Sequence, residues 1–443
     1  MTALVGASVW WTVILMLRAF GPSPAPFVVA PGLAHAFVMT GSFMPMFFAG
    51  FLYTVGPRWL RVSPVDGRAL LRPALIWLAG WILFVAGAQT GFELAAAGLL
   101  LVTLAWSAIA VRLRRMAGTS GRADQVHFQV ISWACVIGAV TFAGATIALA
   151  SGAPAWLIPL ESMLIGLFIA PVFAAALHRM VPLVHVAWPT VDNRFEHVPL
   201  YVLIAAFALE PLVRTTTTMA GGGLPMIFAF AYLFVVDAAM AGLLFQLAWR
   251  WRAGQNMRIR LLAMFFSAIV WLALAFALHA AEALAVLTGA EAGGLRLAGL
   301  HALTMGFFGS VMLAMVSRVT CGQAGRTMAS ERIVWRLFLV LQAAAAIRVL
   351  AEIASADASG ARILVLAAVL WCAAMLPWSL RYINWYGRPR TGARAQARAG
   401  TVRRPGTGQQ PPGAMRSTAA PAGGHGPGRP AGRRRPDDIE DAR

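Results

Sequence analysis

Gly32 to Trp59 reads GLAHAFVMTGSFMPMFFAGFLYTVGPRW, an apolar run of membrane-crossing length whose only basic side chain before Arg58 is His35, just inside one end. Leu295 to Thr320 repeats the arrangement as LRLAGLHALTMGFFGSVMLAMVSRVT. Again a single histidine, His301, sits within the first turns, and a methionine follows four residues later. A group that titrates near neutrality is costly in hydrocarbon, so an intramembrane histidine is by default a functional candidate. Two in like contexts suggest one site.

Composition sets the class. The chain is 59% hydrophobic and 12% charged, with a mean hydropathy of +0.71, whereas a soluble globule carries about 25% charged residues. About 20 apolar residues cross a bilayer core of roughly 30 Å. Such runs recur twelve times, near 4–20, 32–55, 73–90, 91–111, 126–151, 156–177, 198–213, 224–249, 259–288, 295–319, 333–354 and 362–384. The expected fold is therefore all-α: a polytopic bundle of about twelve transmembrane helices over residues 1–387. The first run lacks a basic leader and a small-residue cleavage motif, and reads as a retained helix.

Every one of the 36 basic residues is arginine. Alternate connectors hold sixteen of them, among them Arg58, Arg112, Arg179, Arg250 and Arg318, while the opposite connectors hold Arg214, Arg296 and Arg362. By the positive-inside rule the rich side is cytoplasmic, which places both termini inside. From residue 388 to 443 the composition turns to Arg, Gly, Pro and Ala, which cannot offset its own ordering entropy, and a disordered cytoplasmic tail is expected. Its twelve arginines face four acids. The expected partners are the lipid bilayer and, for the tail, anionic headgroups. Nucleic acid is not expected, because no aromatic residues interleave the arginines.

Cys135, Cys321 and Cys372 lie far apart without a C-x-x-C or C-x-x-C-H. That removes covalent c-type haem attachment, a thiolate zinc site and a disulfide framework. Of the eight histidines, His127, His178, His185 and His197 fall at or near cytoplasmic helix ends, where solvation accounts for them, and His425 is in the tail. His35, His279 and His301 remain, all in the outer half of the membrane. Each of the pairs His35/Met39 and His301/Met305 is four apart and shares a helical face. Imidazole with thioether suits haem iron or soft Cu(I). His35, His301 and His279 are thus candidate cofactor ligands, with Met39 and Met305 as accompanying metal donors. Asp237, midway along the eighth run, must face the bundle interior. Glu282 stands three residues from His279 and is placed to orient it, while Glu93, Glu161 and Glu210 read as interface residues.

The stretch LHALTMGFFGSVMLAMVSRVTCGQAGR resembles the C-terminal signature of the NnrS family of bacterial membrane proteins, matching at His301, Thr304, Gly306, Gly309, Met315, Arg318, Gly322 and Arg326, among others. The second run is similar to the family's W-H-x-H-E-M…A-G-F-L-x-T-x-x-P-x-W at His35, Met39, Gly50, Phe51, Thr54, Pro57 and Trp59. Phe37, Val38 and Gln323 replace the family's second His, its Glu and its later His. The fragment from His35 to Met39 with Met44-Pro45 also resembles the low-spin haem helix of haem–copper oxidase subunit I. The chain has no His-His pair for a copper triad, however, so reduction of a gas at a binuclear centre is not expected. The resemblances imply b-type haem on His35 or His301, with copper as a second candidate. They further imply a bacterial inner-membrane role in the response to nitric oxide and nitrosative stress, with nitric oxide or a related small ligand as partner, and leave open whether any reaction is catalysed. A haem-free secondary transporter of a small substrate is the alternative, although the two halves show no convincing repeat.

The arginine asymmetry predicts that a fluorescent protein fused after Arg443 glows in a bacterial host and that alkaline phosphatase fused there is inactive. The reverse pattern would invert the orientation and with it the outward position of the three histidines.

Overall fold

The computed structural model describes residues 1–21, 27–122, 124–181, 196–220, 224–255, 257–324, 332–354 and 359–384, and every regular element within them is helical. The expected tail at 388–443 lies outside these residues, as do His185 and His425. Eleven helices are long and apolar enough to cross a bilayer: Thr2–Phe20, Pro31–Leu60, Gly67–Thr90, Phe92–Gly118, Val126–Ala150, Pro154–Met180, Met226–Ala253, Arg260–Thr288, Leu295–Gln323, Arg332–Ala354 and Arg362–Ile383. The seventh of the twelve expected runs is also a helix, Val198–Ala220. Its apolar stretch, Val198–Val213, is shorter, because the four threonines from Thr215 to Thr218 dilute its second half. At 1.5 Å per residue the whole helix still spans about 35 Å, and the ordinals below count it as the seventh span. The hairpin expected at Gln89-Thr90-Gly91 is present, with helices ending at Thr90 and resuming at Phe92.

Neighbours in sequence pack as neighbours in space, the third span on the fourth, the fourth on the fifth, the eighth on the ninth and the eleventh on the twelfth, while the first packs on the twelfth. Three spans stand apart by burial. The second, sixth and tenth have 67%, 78% and 78% of their apolar window buried, against 28% to 50% for the other eight. These same three are the ones that depart from regular α-helix in mid-span. The second breaks at Ser42 and Phe43, between Pro31–Gly41 and Met44–Leu60, with Pro45 at the restart. The sixth passes through a π-helical turn at Leu164–Ile169, and the tenth through another at Ala302–Phe308.

Such irregularities free backbone groups that lipid cannot satisfy. In the second span Trp77 answers one of them, its indole Nε1–H donating to the Ser42 carbonyl at 2.6 Å. Other tryptophans tie helices together: Trp106 donates to the Cys135 carbonyl at 2.9 Å, Trp378 to Ser317 Oγ at 2.9 Å, and Trp371 to Ser8 Oγ at 2.9 Å. Trp271 donates to Gln342 Oε1 at 2.7 Å, and Gln342 passes a hydrogen bond to Ser310 Oγ at 2.9 Å. Each such bond adds on the order of 0.6 kcal/mol within a membrane. Together they fix register.

Backbones approach closely where the third and fourth spans meet. A Cβ at Gly87 would stand 2.1 Å from the Ala95 nitrogen, and one at Gly98 would stand 2.4 Å from the Phe84 nitrogen. Gly41 and Gly306 serve differently, seating the rings of Trp81 and Trp271 respectively.

Overpacking of this kind costs about 1–3 kcal/mol or more. Gly98→Leu should therefore lower the midpoint of thermal unfolding in detergent and reduce the yield of monodisperse protein. Gly242→Ala, whose added Cβ meets nothing within 4 Å, should leave both unchanged. Equal behaviour of the two variants would contradict the close third–fourth packing.

Candidate functional site

Two of these interruptions, in the second and tenth spans, border a cavity. It has a volume of ≈ 530 Å³, within the roughly 300–1,000 Å³ range of small-molecule and cofactor pockets. Its walls come from one end of the second, sixth, tenth, eleventh and twelfth spans, opposite the arginine-rich end, together with the middle of the first. His35, Met39, His301 and Met305 all line it, so the four donors proposed from the sequence are brought together. The fourth-residue spacing of His301 and Met305 is carried by a π-turn and not the α-helix expected from sequence. Such turns are rare and occur preferentially at functional sites.

Both imidazoles are held in place. The His35 ring stacks on Trp11 at 4.0 Å with an interplanar angle of 19°, and its buried Nδ1 has no hydrogen-bond partner. His301 is buried, and its Nδ1–H donates to the Leu297 carbonyl one turn back at 2.7 Å. That bond leaves Nε2 as the lone-pair nitrogen. It is the orientation usual for metal-bound histidine, whose other ring nitrogen is anchored to a carbonyl or carboxylate.

Charge enters the cavity on side chains that the sequence reading passed over. Arg348, in the eleventh span, forms an ion pair with Glu352 one turn on, both largely buried. Arg296, counted among the outer connectors, lies exposed and also lines the cavity. Glu161, read from sequence as an interface residue, is buried instead; it faces the cavity, and its Oε1 has no partner. The signal for the pair was present in the run LQAAAAIRVLAEIA, where an arginine and a glutamate at i, i+4 interrupt a membrane-length apolar segment.

His279 is not in this cavity. It lines a smaller one of ≈ 50 Å³ behind it, with Glu161, Arg296 and Leu300 common to both. Its ring lies directly on the Gly299 backbone, where a Cβ would stand 2.3 Å away. Its Nδ1 is 3.4 Å from Glu210 Oε1, and Glu282, expected to orient the same ring, is buried one turn on. Asp237 is buried in the eighth span. Arg318 is exposed near the far end of the tenth span, away from the cavity.

Three further histidines come together elsewhere in the bundle. His127, His178 and His197, assigned above to solvated helix ends, converge at the arginine-rich end of the bundle. The chain separates them by 51 and 19 residues, so no spacing motif announces them.

The protein-family model described as NnrS protein matches residues 1–390, and the chain belongs to the NnrS family. No curated protein matches it.

Removing one partner of a buried ion pair strands the other charge and costs about 3–5 kcal/mol. Arg348→Leu should therefore lower the thermal midpoint well below that of wild type. The double variant Arg348→Leu/Glu352→Leu should recover most of the loss, since two apolar residues replace two compensated charges. An Arg348→Leu protein as stable as wild type would show that the pair is solvated.

Proposed function

We propose that this NnrS-family protein is a haem protein of the bacterial inner membrane, with both termini cytoplasmic, that binds nitric oxide in the response to nitrosative stress. The observation that carries the reading is the pair His35 and His301: two oriented imidazoles, one with a buried unpartnered Nδ1 and the other with Nε2 left as acceptor, on one largely apolar cavity.

The donor set fits b-type haem. His35 or His301 would supply the axial nitrogen, while Arg296 and Arg348 offer guanidinium groups to a haem's two carboxylates. Leu33, Phe43, Leu300 and Leu364 supply apolar wall. Trp11 holds the His35 ring against rotation, and the Leu297 carbonyl holds His301 in one tautomer. Both restraints cut the entropy lost on ligation. A bound haem iron supplies a coordination position that a diatomic gas can take. The residues do the rest, excluding water with an apolar lining and setting the ligand field with a neutral imidazole. Nitric oxide is small and apolar, so a site within the bilayer meets it directly. Met39 and Met305 line the same space and keep copper(I) as a second candidate occupant.

Protein purified from a haem-replete host should show a Soret band that shifts on addition of nitric oxide under reducing conditions. His35→Ala and His301→Ala should each be compared at matched yield. At least one should lose haem or move the band, and the Arg296→Ala variant should weaken retention without altering the band position. Unchanged haem content and spectrum in both histidine variants would overturn the ligation, and colourless wild-type protein would favour a transporter.

A further inference from the structure

The opposite end of the sixth span carries a second constellation. His127 lies in the first turn of the fifth span, His178 in the last turn of the sixth, and His197 immediately before the seventh helix. One ring nitrogen from each lies within 4.8 Å of the other two. His127 Nε2 and His178 Nδ1 are 2.9 Å apart. The ring centroids are separated by 5.1 Å for His127 and His178, 5.1 Å for His127 and His197, and 6.2 Å for His178 and His197. His127 is buried and the other two are half-buried. His197 Nδ1 is shielded from solvent and has no hydrogen-bond partner.

We propose that His127, His178 and His197 form a three-imidazole site for a transition-metal ion, zinc or copper. Three convergent imidazoles without a thiolate or a clustered carboxylate select borderline ions over magnesium or calcium. Nitrogens bound to a tetrahedral ion at about 2.0–2.1 Å stand roughly 3.3 Å apart. The observed separations reach that arrangement by small side-chain rotations, the His127–His178 contact opening slightly and His197 moving inward. A hydrogen-bonded histidine pair alone would account for His127 and His178 but would leave the His197 nitrogen buried without a partner. An ion gives it one, and three protein ligands leave a fourth position for water or another small donor.

The nearby charge is mixed: Arg179 acts against positive charge at His127, and Asp124 partly offsets it. Arg179, adjoining His178, is paired with Asp124 at 3.3 Å. Of the remaining charged groups at this end, Arg114 is turned onto Gln129 and Ser132 of the fifth span at 2.6 and 2.9 Å. The site is also separate from the haem cavity. Glu161, which lines that cavity, and His178 lie on the same span, seventeen residues and therefore roughly 25 Å apart along the helix axis. The two proposals stand independently.

The test uses the full-length protein in detergent. Metal analysis of the purified protein should find close to one equivalent of zinc or copper per chain, beyond any iron. After stripping with chelator, Zn²⁺ and Cu²⁺ should each rebind at one equivalent, and the Cu²⁺ form should show electron-spin coupling to three nitrogens. His197→Ala should weaken rebinding by more than about tenfold, because losing a ligand exceeds the 10- to 100-fold cost of losing an outer partner. His178→Ala should do the same, and His35→Ala should not change it. Haem absorbance, where present, and elution as a monodisperse peak report folding separately. Failure of all of the binding tests in well-folded wild-type protein would overturn the site, as would rebinding indifferent to both His197→Ala and His178→Ala. A Soret band lost without change in this binding would count against the haem reading alone.

Discussion

In hydrocarbon no water is present to take up a backbone N–H or C=O, so a membrane helix can break only where protein surrounds the break. That constraint organises this bundle. The second, sixth and tenth spans are the most enclosed, and they are the ones that contain a kink or a π-turn. The less buried spans around them are regular helices. Enclosure and irregularity are therefore linked as cause and permission: the surrounding helices supply partners such as the Trp77 indole for the Ser42 carbonyl, and the irregular turns in return open space inside the bundle. The ≈ 530 Å³ cavity borders the break in the second span and the π-turn in the tenth.

The same constraint governs the charges. An arginine in an apolar span is tolerated when a partner compensates it or when it borders a polar space, and Arg348 does both, pairing with Glu352 while lining the cavity. Glu161 borders it too with one oxygen unpartnered. A cavity lined with apolar side chains, two imidazoles, two guanidiniums and a carboxyl is not what packing alone produces. Packing alone would close it, as it does between the third and fourth spans, where Gly87 and Gly98 bring backbone against backbone.

Most of the helical frame was legible in the sequence, because a span is a local property: some twenty apolar residues announce it whatever they pack against. The helix from Val198 is the exception in degree, since its threonines blur the apolar signal without ending the helix. The convergence of His35 and His301 was also legible, through depth. Two residues each near the start of spans that cross in the same direction must share a level, and a central cavity at that level can gather both. Depth alone could not separate His279, which shares the level yet is turned into a neighbouring pocket against Gly299 and Glu210. Rotation about the helix axis decides that, and it depends on packing partners that a single sequence does not state. The π-turn at Ala302–Phe308 shifts the phase further, so the fourfold spacing of His301 and Met305 held as a shared cavity and not as a regular helical face.

His127, His178 and His197 show the limit in a sharper form. Each reads, one at a time, as a histidine at a hydrated helix end, and the absence of a His-His pair argued only against a copper triad of the oxidase type. Adjacency in sequence is needed only when one helix supplies two ligands. Here three separate segments supply one each, from the start of one span, the end of the next, and the residue preceding the helix after that. Consecutive antiparallel helices return to the same membrane face at every second connection, so residues dozens apart in the chain become neighbours whenever the helices pack in order. In a bundle with this topology, ligands are therefore better sought by membrane face and span order than by motif spacing. The buried, unpartnered His197 nitrogen is what distinguishes such a convergence from three solvated termini.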